Sequence, residues 1–215
     1  MSELIEISKG QTKNILLLNK SVDLLVNQYD DSQLNLHVFC LDDSSAEINI
    51  QVRQLGRGCS AKINALVLAC GKQEVGIHTN VVHEVGDGIS EQLLKFVLAD
   101  ESKGNFRGDL KIAKDAQKVS ARQTNRNIVL SDKAKMRTMP QLEIYADDVK
   151  ASHGASTGQL DEQALFYMQQ RGLSVGTARK LLLKAFASEV MEQLDVAEHD
   201  SIEQLIEQRL ARMAI

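Results

Sequence analysis

Between about residues 14 and 150, apolar and polar side chains alternate in short runs. LNLHVF (34–39), EINIQV (47–52), KINALVL (62–68), GIHTNVV (76–82), LKFVLA (94–99) and QLEIYA (141–146) each show the period of two that sends successive side chains to opposite faces of a strand. Gly, Asp, Asn and Ser bound these runs, as in LDDSS, QLGRGCS, EVGDGIS and ADESKGN, which is the chemistry of turns. The connections are too short for the helical crossovers of a doubly wound sheet. Two all-β solutions stay open, an antiparallel sandwich and a coiled solenoid. Asn-Gly hairpin signals do not join the runs, and single Gly or Asp-Asp corners lean toward a chain winding around a stack of coils. The one proline, Pro140, stands at the start of QLEIYA, where a first strand position tolerates a missing N–H.

After Leu160 the period changes. DEQALFYMQQRG predicts a helix capped by Asp161 and ended by Gly172, a residue suited to the left-handed cap. Ser174 opens a second helix with Ala178, Leu181, Leu182, Ala185, Phe186, Val190 and Met191 on one stripe. A third is expected to start near Asp200 or Ser201, with Glu203 and Gln204 placed for a capping box, and to carry Ile202, Leu205, Ile206 and Leu210. Three short helices cannot bury these stripes among themselves. They are expected to pack against the end of the β body, on a partner, or on both.

Composition narrows the function. With 43% apolar residues over 215 positions the chain has enough material for a real core. A net charge of −4 and only 4% aromatic residues argue against nucleic acid and against an anionic membrane surface. No window approaches eighteen apolar residues, and MSELIEISKG lacks the order of a signal peptide, so a soluble cytoplasmic protein is expected. Cys40, Cys59 and Cys70 lack CxxC spacing and read as small hydrophobes rather than a disulfide or zinc set.

No P-loop, GxGxxG, HExxH or GxSxG occurs, so enzymatic chemistry finds no anchor. His78 and His83, five apart in an alternating run, point to opposite faces and read as polar tips on a surface. Asp147 and Asp148 read as turn residues, and Arg122, Arg126, Lys133, Lys135 and Arg137 as a solvated face. His153 stands apart. Its neighbours Ala151, Ser152, Gly154, Ala155 and Ser156 are too small to wrap an imidazole, which ligates borderline metals and carries protons near neutral pH. One histidine is not a site, so further ligands must come from another chain.

From residue 104 to 194 the motifs FRG, Q-x-N-x-N, P-x-LEIYADDVK, SHGA and LFY-x-x-x-RG follow one another. In this order they resemble the SufB/SufD family of iron–sulfur cluster assembly proteins. The resemblance implies a mainly β fold, a right-handed parallel β-helix over 1–158 followed by a small C-terminal helical domain over 159–215. It implies a non-catalytic scaffold, paired with a SufB-type scaffold or with itself, and bound to a SufC-type ABC ATPase. The ATPase-binding residues would be Leu165, Phe166, Tyr167, Arg171, Gly172 and Leu173. His153 corresponds to the family histidine of the subunit interface, with KASHGAS resembling the SufD branch. SufB-like chains carry Glu-His-Glu there and a cysteine at the position of Ala134, and many SufD chains carry a cysteine where this one has Ala151. The implied cofactor state is none held stably by this chain alone, with iron or an iron–sulfur cluster present transiently between subunits. Family chains are about twice as long, which leaves an open first coil that residues 1–30 are expected to cap, or dimerisation to help cover. A second reading keeps the same body as a structural or regulatory partner of the complex that never touches a cluster.

Overall fold

The computed structural model describes residues 3–213 other than Gln193 and Asp195, so the outermost residues of the segments 1–30 and 159–215 lie outside it. Among the described residues twelve strands alternate between two six-stranded sheets. One sheet takes β1 (Glu3–Ile7), β3 (Val22–Gln28), β5 (Ala46–Gln54), β7 (Glu74–His83), β9 (Lys103–Ile112) and β11 (Lys135–Ile144) in that order. The other takes β2 (Thr12–Leu18), β4 (Gln33–Cys40), β6 (Ser60–Ala69), β8 (Ile89–Leu98), β10 (Val119–Val129) and β12 (Val149–Gly158). Every pairing is parallel. This is a β-helix with two strands per coil, which resolves the choice between sandwich and solenoid.

Along one interior column the chain passes Leu24, Ile50, Thr79, Gly108 and Pro140, with Glu3 in register before them, so a coil takes 21 to 32 residues. Corners use left-handed backbone at Asn19, Asp31, Asp87 and Asp100, whose short polar side chains tolerate it. Asn19 shows the reason: its Oδ1 accepts from the N–H of Leu41 at 2.6 Å and of Asp42 at 3.2 Å. Between the sheets lies an aliphatic interior that includes Leu36, Ile48, Ile50, Ile63, Val67, Ile77 and Phe96. Residues 3–28 form β1 to β3, in register with the following coils, and so extend the stack instead of lying over its end as a cap. Alternating residues such as those of VDLLVNQ pair as readily as the runs that follow them.

Pro140 falls in the middle of β11, not at its first residue. The strand tolerates it because, among the described residues, β11 pairs with β9 alone and has a free edge. The helices are α1 (Glu162–Gln170), α2 (Val175–Ser188), a short 3₁₀ turn (Glu189–Met191) and α3 (Val196–Arg212). They lie on the outer face of the second sheet, not at the end of the stack. Leu183, Ala187, Val190, Met191, Ile202, Ile206 and Leu210 meet Phe39, Leu66, Leu68, Val97 and Ile128 in a second core. The seat explains why β4, β6 and β8 alternate in their first halves but are buried on both faces in their last.

Two buried cations fasten the helices down. Arg209, 1% exposed, donates through Nε to the Leu68 carbonyl at 2.9 Å and through its other nitrogens to Asp43 and Gln73. Lys95, on the outer face of β8, donates to the Phe186 carbonyl at 2.8 Å and to Glu189, with its ammonium 4.4 Å from the Phe186 ring centre. Burial pulls the Lys95 ammonium below its usual range, against the opposing pull of Glu189.

Candidate functional site at the last coil

The stack ends in β11 and β12, and among the described residues β12 pairs with β10 only. His153 sits midway along this terminal edge strand, opposite Gln123 of β10. Val149 and Ala151 touch the interior core, and the Thr157 hydroxyl accepts from Asn127 Nδ2 at 3.1 Å. Alternation therefore places His153 on the inward side, at the mouth of the stack, where among the described residues no further coil covers it. Residues 152 to 158 are all exposed. Serine, glycine and alanine around the ring leave both the imidazole and the strand's backbone open to an approaching chain.

The structure gives His153 no ligand set of its own. Among the described residues the one group of three His, Cys, Asp or Glu side chains close enough to share a metal is His199, Asp200 and Glu203 on α3, far along the sequence. Lys184 already holds Glu203 at 2.9 Å. Half-buried Cys70 follows β6, which β8 and β10 separate from β12, and the other two thiols are buried. Burial pushes the Cys40 thiol up to about 12 and also raises that of Cys59, which donates to the carbonyls of Tyr29 and Gly56. Ala134 is buried, and Ala151 half-buried beneath the edge.

On α1, the Asp161 carboxylate caps the helix by accepting from the N–H of Gln163 at 2.8 Å and of Ala164 at 3.2 Å. Gly172, with φ +91°, ends it. Phe166 and Tyr167 are 63% and 59% exposed, and Val175 and Leu181 of α2 are also exposed. Arg171 lies over the Tyr167 ring and donates to its hydroxyl at 3.0 Å. Leu165 and Leu173 are half-buried. Leu165 lines a cleft of about 330 Å³ with Leu160, Leu130, Arg179 and Met213. The sequence-predicted residues thus fall in two places, His153 on the edge strand and the rest on the exposed first helix.

The two histidines read as surface tips part company. His78 is on the outer face, 2.8 Å from Asp109. His83 is fully buried at an interior corner, 2.9 Å from the Ser90 hydroxyl, and burial lowers its pKa to about 4. Sequence reasoning placed it on a surface, although it shares the parity of Val75, Ile77 and Val81, the inward residues of the same strand. The FRG and Q-x-N-x-N motifs also acquire a location. Gln123, Asn125 and Asn127 all point inward and are buried, and the Gln123 amide lies against Gly108 across the interior. Asn125 donates to the Leu94 carbonyl at 3.1 Å and Asn127 to that of Ser156 at 3.0 Å, which ties β12 to the coil before it.

A parallel β-helix with an open terminal edge and a helical flank defines a solenoid protein. Residues 9–186 match the family described as SUF system FeS cluster assembly, SufBD core domain. The chain belongs to that family. It is 34% identical over 172 residues to the iron–sulfur cluster assembly protein SufD of Escherichia coli, an overlap of 80% of this chain and 40% of that one. It is 37% identical over 149 residues to an iron–sulfur cluster assembly SufBD family protein of Synechocystis, covering 69% of this chain and 33% of the relative. SufD of Bacillus subtilis is 29% identical over 167 residues, 77% of this chain and 38% of that one. The chain thus spans about two-fifths or less of the length of these relatives. Among the described residues no helix is long and apolar enough to cross a membrane.

Proposed function

We propose that this chain is a non-catalytic scaffold subunit of the Suf machinery, on which iron and sulfide are assembled into a cluster for recipient proteins. The observation that supports it most is the position of His153, exposed on an edge strand with free backbone groups on one side. A strand edge of this kind accepts a further strand by main-chain pairing. A SufB-type scaffold, or a second copy of this chain, would pair there and bring the ligands that β12 lacks. His153 would then supply a nitrogen ligand to the transient cluster or iron, or a proton, at the seam between chains.

The second surface belongs to the ATPase. Exposed aromatic side chains beside an arginine are the composition of an interface anchor. Phe166 and Tyr167, with Leu165 and the Arg171-Gly172-Leu173 cap, would seat a SufC-type ABC ATPase. Mixing the chain with that ATPase should give a complex, and Phe166→Ala should weaken it by about tenfold or more, the scale of a modest hot spot. No complex with the native chain, or equal binding by the variant, would remove α1 from the interface.

One observation favours the second reading, a structural partner that never touches a cluster. Ala151 stands beside His153 where a thiolate would be useful, and Cys40 and Cys59 are buried. Anaerobic reconstitution with the SufB-type partner separates the two. His153→Ala should lower the cluster yield while leaving the pairing intact; an unchanged yield supports the purely structural role.

A further inference from the structure

Beneath His153 the interior of the coils changes character. Along the second sheet the inward column reads Leu36, Ile63, Gln92, Gln123, His153. The corresponding column of the first sheet reads Leu24, Ile50, Thr79, Gly108, Pro140. Both turn from branched aliphatic residues to polar or small ones at the same coil. Gln92 is 3% exposed, Gln123 1% and Thr79 0%. Among the described residues neither the oxygen nor the nitrogen of either amide has a hydrogen-bond partner, nor has the Thr79 hydroxyl. Thr138, on the last strand of the first sheet, adds another unpaired hydroxyl.

Direct pairing between the amides is one solution, and the same fold displays it elsewhere. Gln54 Nε2 donates to Oε1 of its register partner Gln28 at 3.3 Å. Gln92 and Gln123 are register partners too, but no such bond joins them. Gln123 instead crosses the interior, and its Nε2 lies 2.3 Å from where a Cβ on Gly108 would be. Glycine at 108 is what leaves room for the amide. Burying two primary amides with all four polar atoms unpaired is too unfavourable for a dry interior, and buried polar groups without protein partners take ordered water.

We propose that the interior of the last coils is a water-binding layer, a short file of buried water held by the Gln92 and Gln123 amides and the Thr79 hydroxyl and running toward Thr138 and the His153 edge. The layer makes the end of the stack hydrophilic within as well as at its rim, where the same columns of the earlier coils are aliphatic.

Oxygen-17 magnetic relaxation dispersion counts long-lived internal water, and a high-resolution crystal structure locates it. The native chain should hold about two or more such molecules beyond those of the Gln92→Leu/Gln123→Leu double variant. Density should lie within hydrogen-bond distance of both amides. The double variant restores the aliphatic column of the earlier coils and is expected to fold. Should it fail to, the density of the native chain decides alone. Equal water counts in the two proteins, or density in which the amides bond each other directly, would overturn the proposal.

Discussion

His83 is a histidine that folding keeps neutral, and this makes acid a specific threat. Its pKa is lowered by burial from 6.5 to about 4 in the folded chain. Between those values the unfolded chain binds a proton that the folded chain does not, so stability falls as pH drops through this window and rises again above it. The full difference is about 3 kcal/mol, reached when pH has fallen to the folded value. His83→Gln puts a hydrogen-bonding amide near Ser90 in place of the imidazole and removes the titration. Urea unfolding from pH 7 to pH 4 should show a shallower loss in the variant than in the native chain, and equal slopes would refute this account. Parity along β7 already carried the information that His83 is inward, because it follows Val75, Ile77 and Val81 at even spacing. A histidine at that position looked like surface because polarity was read ahead of parity. Gln92 escaped notice for the same reason, and Gln123 was legible only as part of the Q-x-N-x-N motif. His153 differed: its small neighbours on the chain made its lack of packing legible before any coordinates.

At the scale of elements, strands were legible and helix faces were not. Six runs found by alternation became β4 to β8 and β11, with β8 and β11 starting earlier and ending short of their runs. The stripe expected on α2 included Leu181 and Ala185, yet both are exposed, and Leu183 and Ala187 are buried in their place. Three successive leucines at 181–183 allow two stripes, and only the surface on which the helix lands selects between them. The third helix begins at Val196, upstream of the expected cap, and Ser201 lies inside it, bonding back to the Glu198 carbonyl at 2.8 Å instead of capping its start. Leu183 is fully buried against the second sheet, so Leu183→Ala should cost about 2–5 kcal/mol of helix docking. Hydrogen exchange is the measurement of choice. Protection should fall across α2 and α3 while β5 and β7, on the opposite sheet, keep theirs. Uniform loss over the whole chain would mean that the helices and the coils unfold as one unit.

For the whole molecule, the sequence hid the repeat because coils of 21 to 32 residues keep no fixed spacing. Stacking demands register only along the strands, and the corners absorb the difference in length. The parallel arrangement came from the family resemblance, with alternation leaving the sandwich open. The proposed pairing through β12 has a clean test at Gly154. A side chain there would meet nothing within 4 Å, so Gly154→Lys should leave the folded chain unchanged. A charge on an edge strand opposes the approach of a second strand. Sedimentation velocity with the SufB-type partner should show the complex lost and the thermal midpoint of the chain alone within about 2 °C of the native value. A complex that survives the lysine would move the interface elsewhere.

The join between coil and helix has a mechanical consequence. β12 ends at Gly158 and α1 begins at Glu162, so Gln159, Leu160 and Asp161 are all that connect them. Drawn straight, such a tether reaches roughly 14 Å. Any grip that carries the helix farther than this slack allows must peel the last strand from its neighbour, starting from the end nearest the helix. The imidazole halfway along that strand would thereby follow any displacement of the helix beyond that slack.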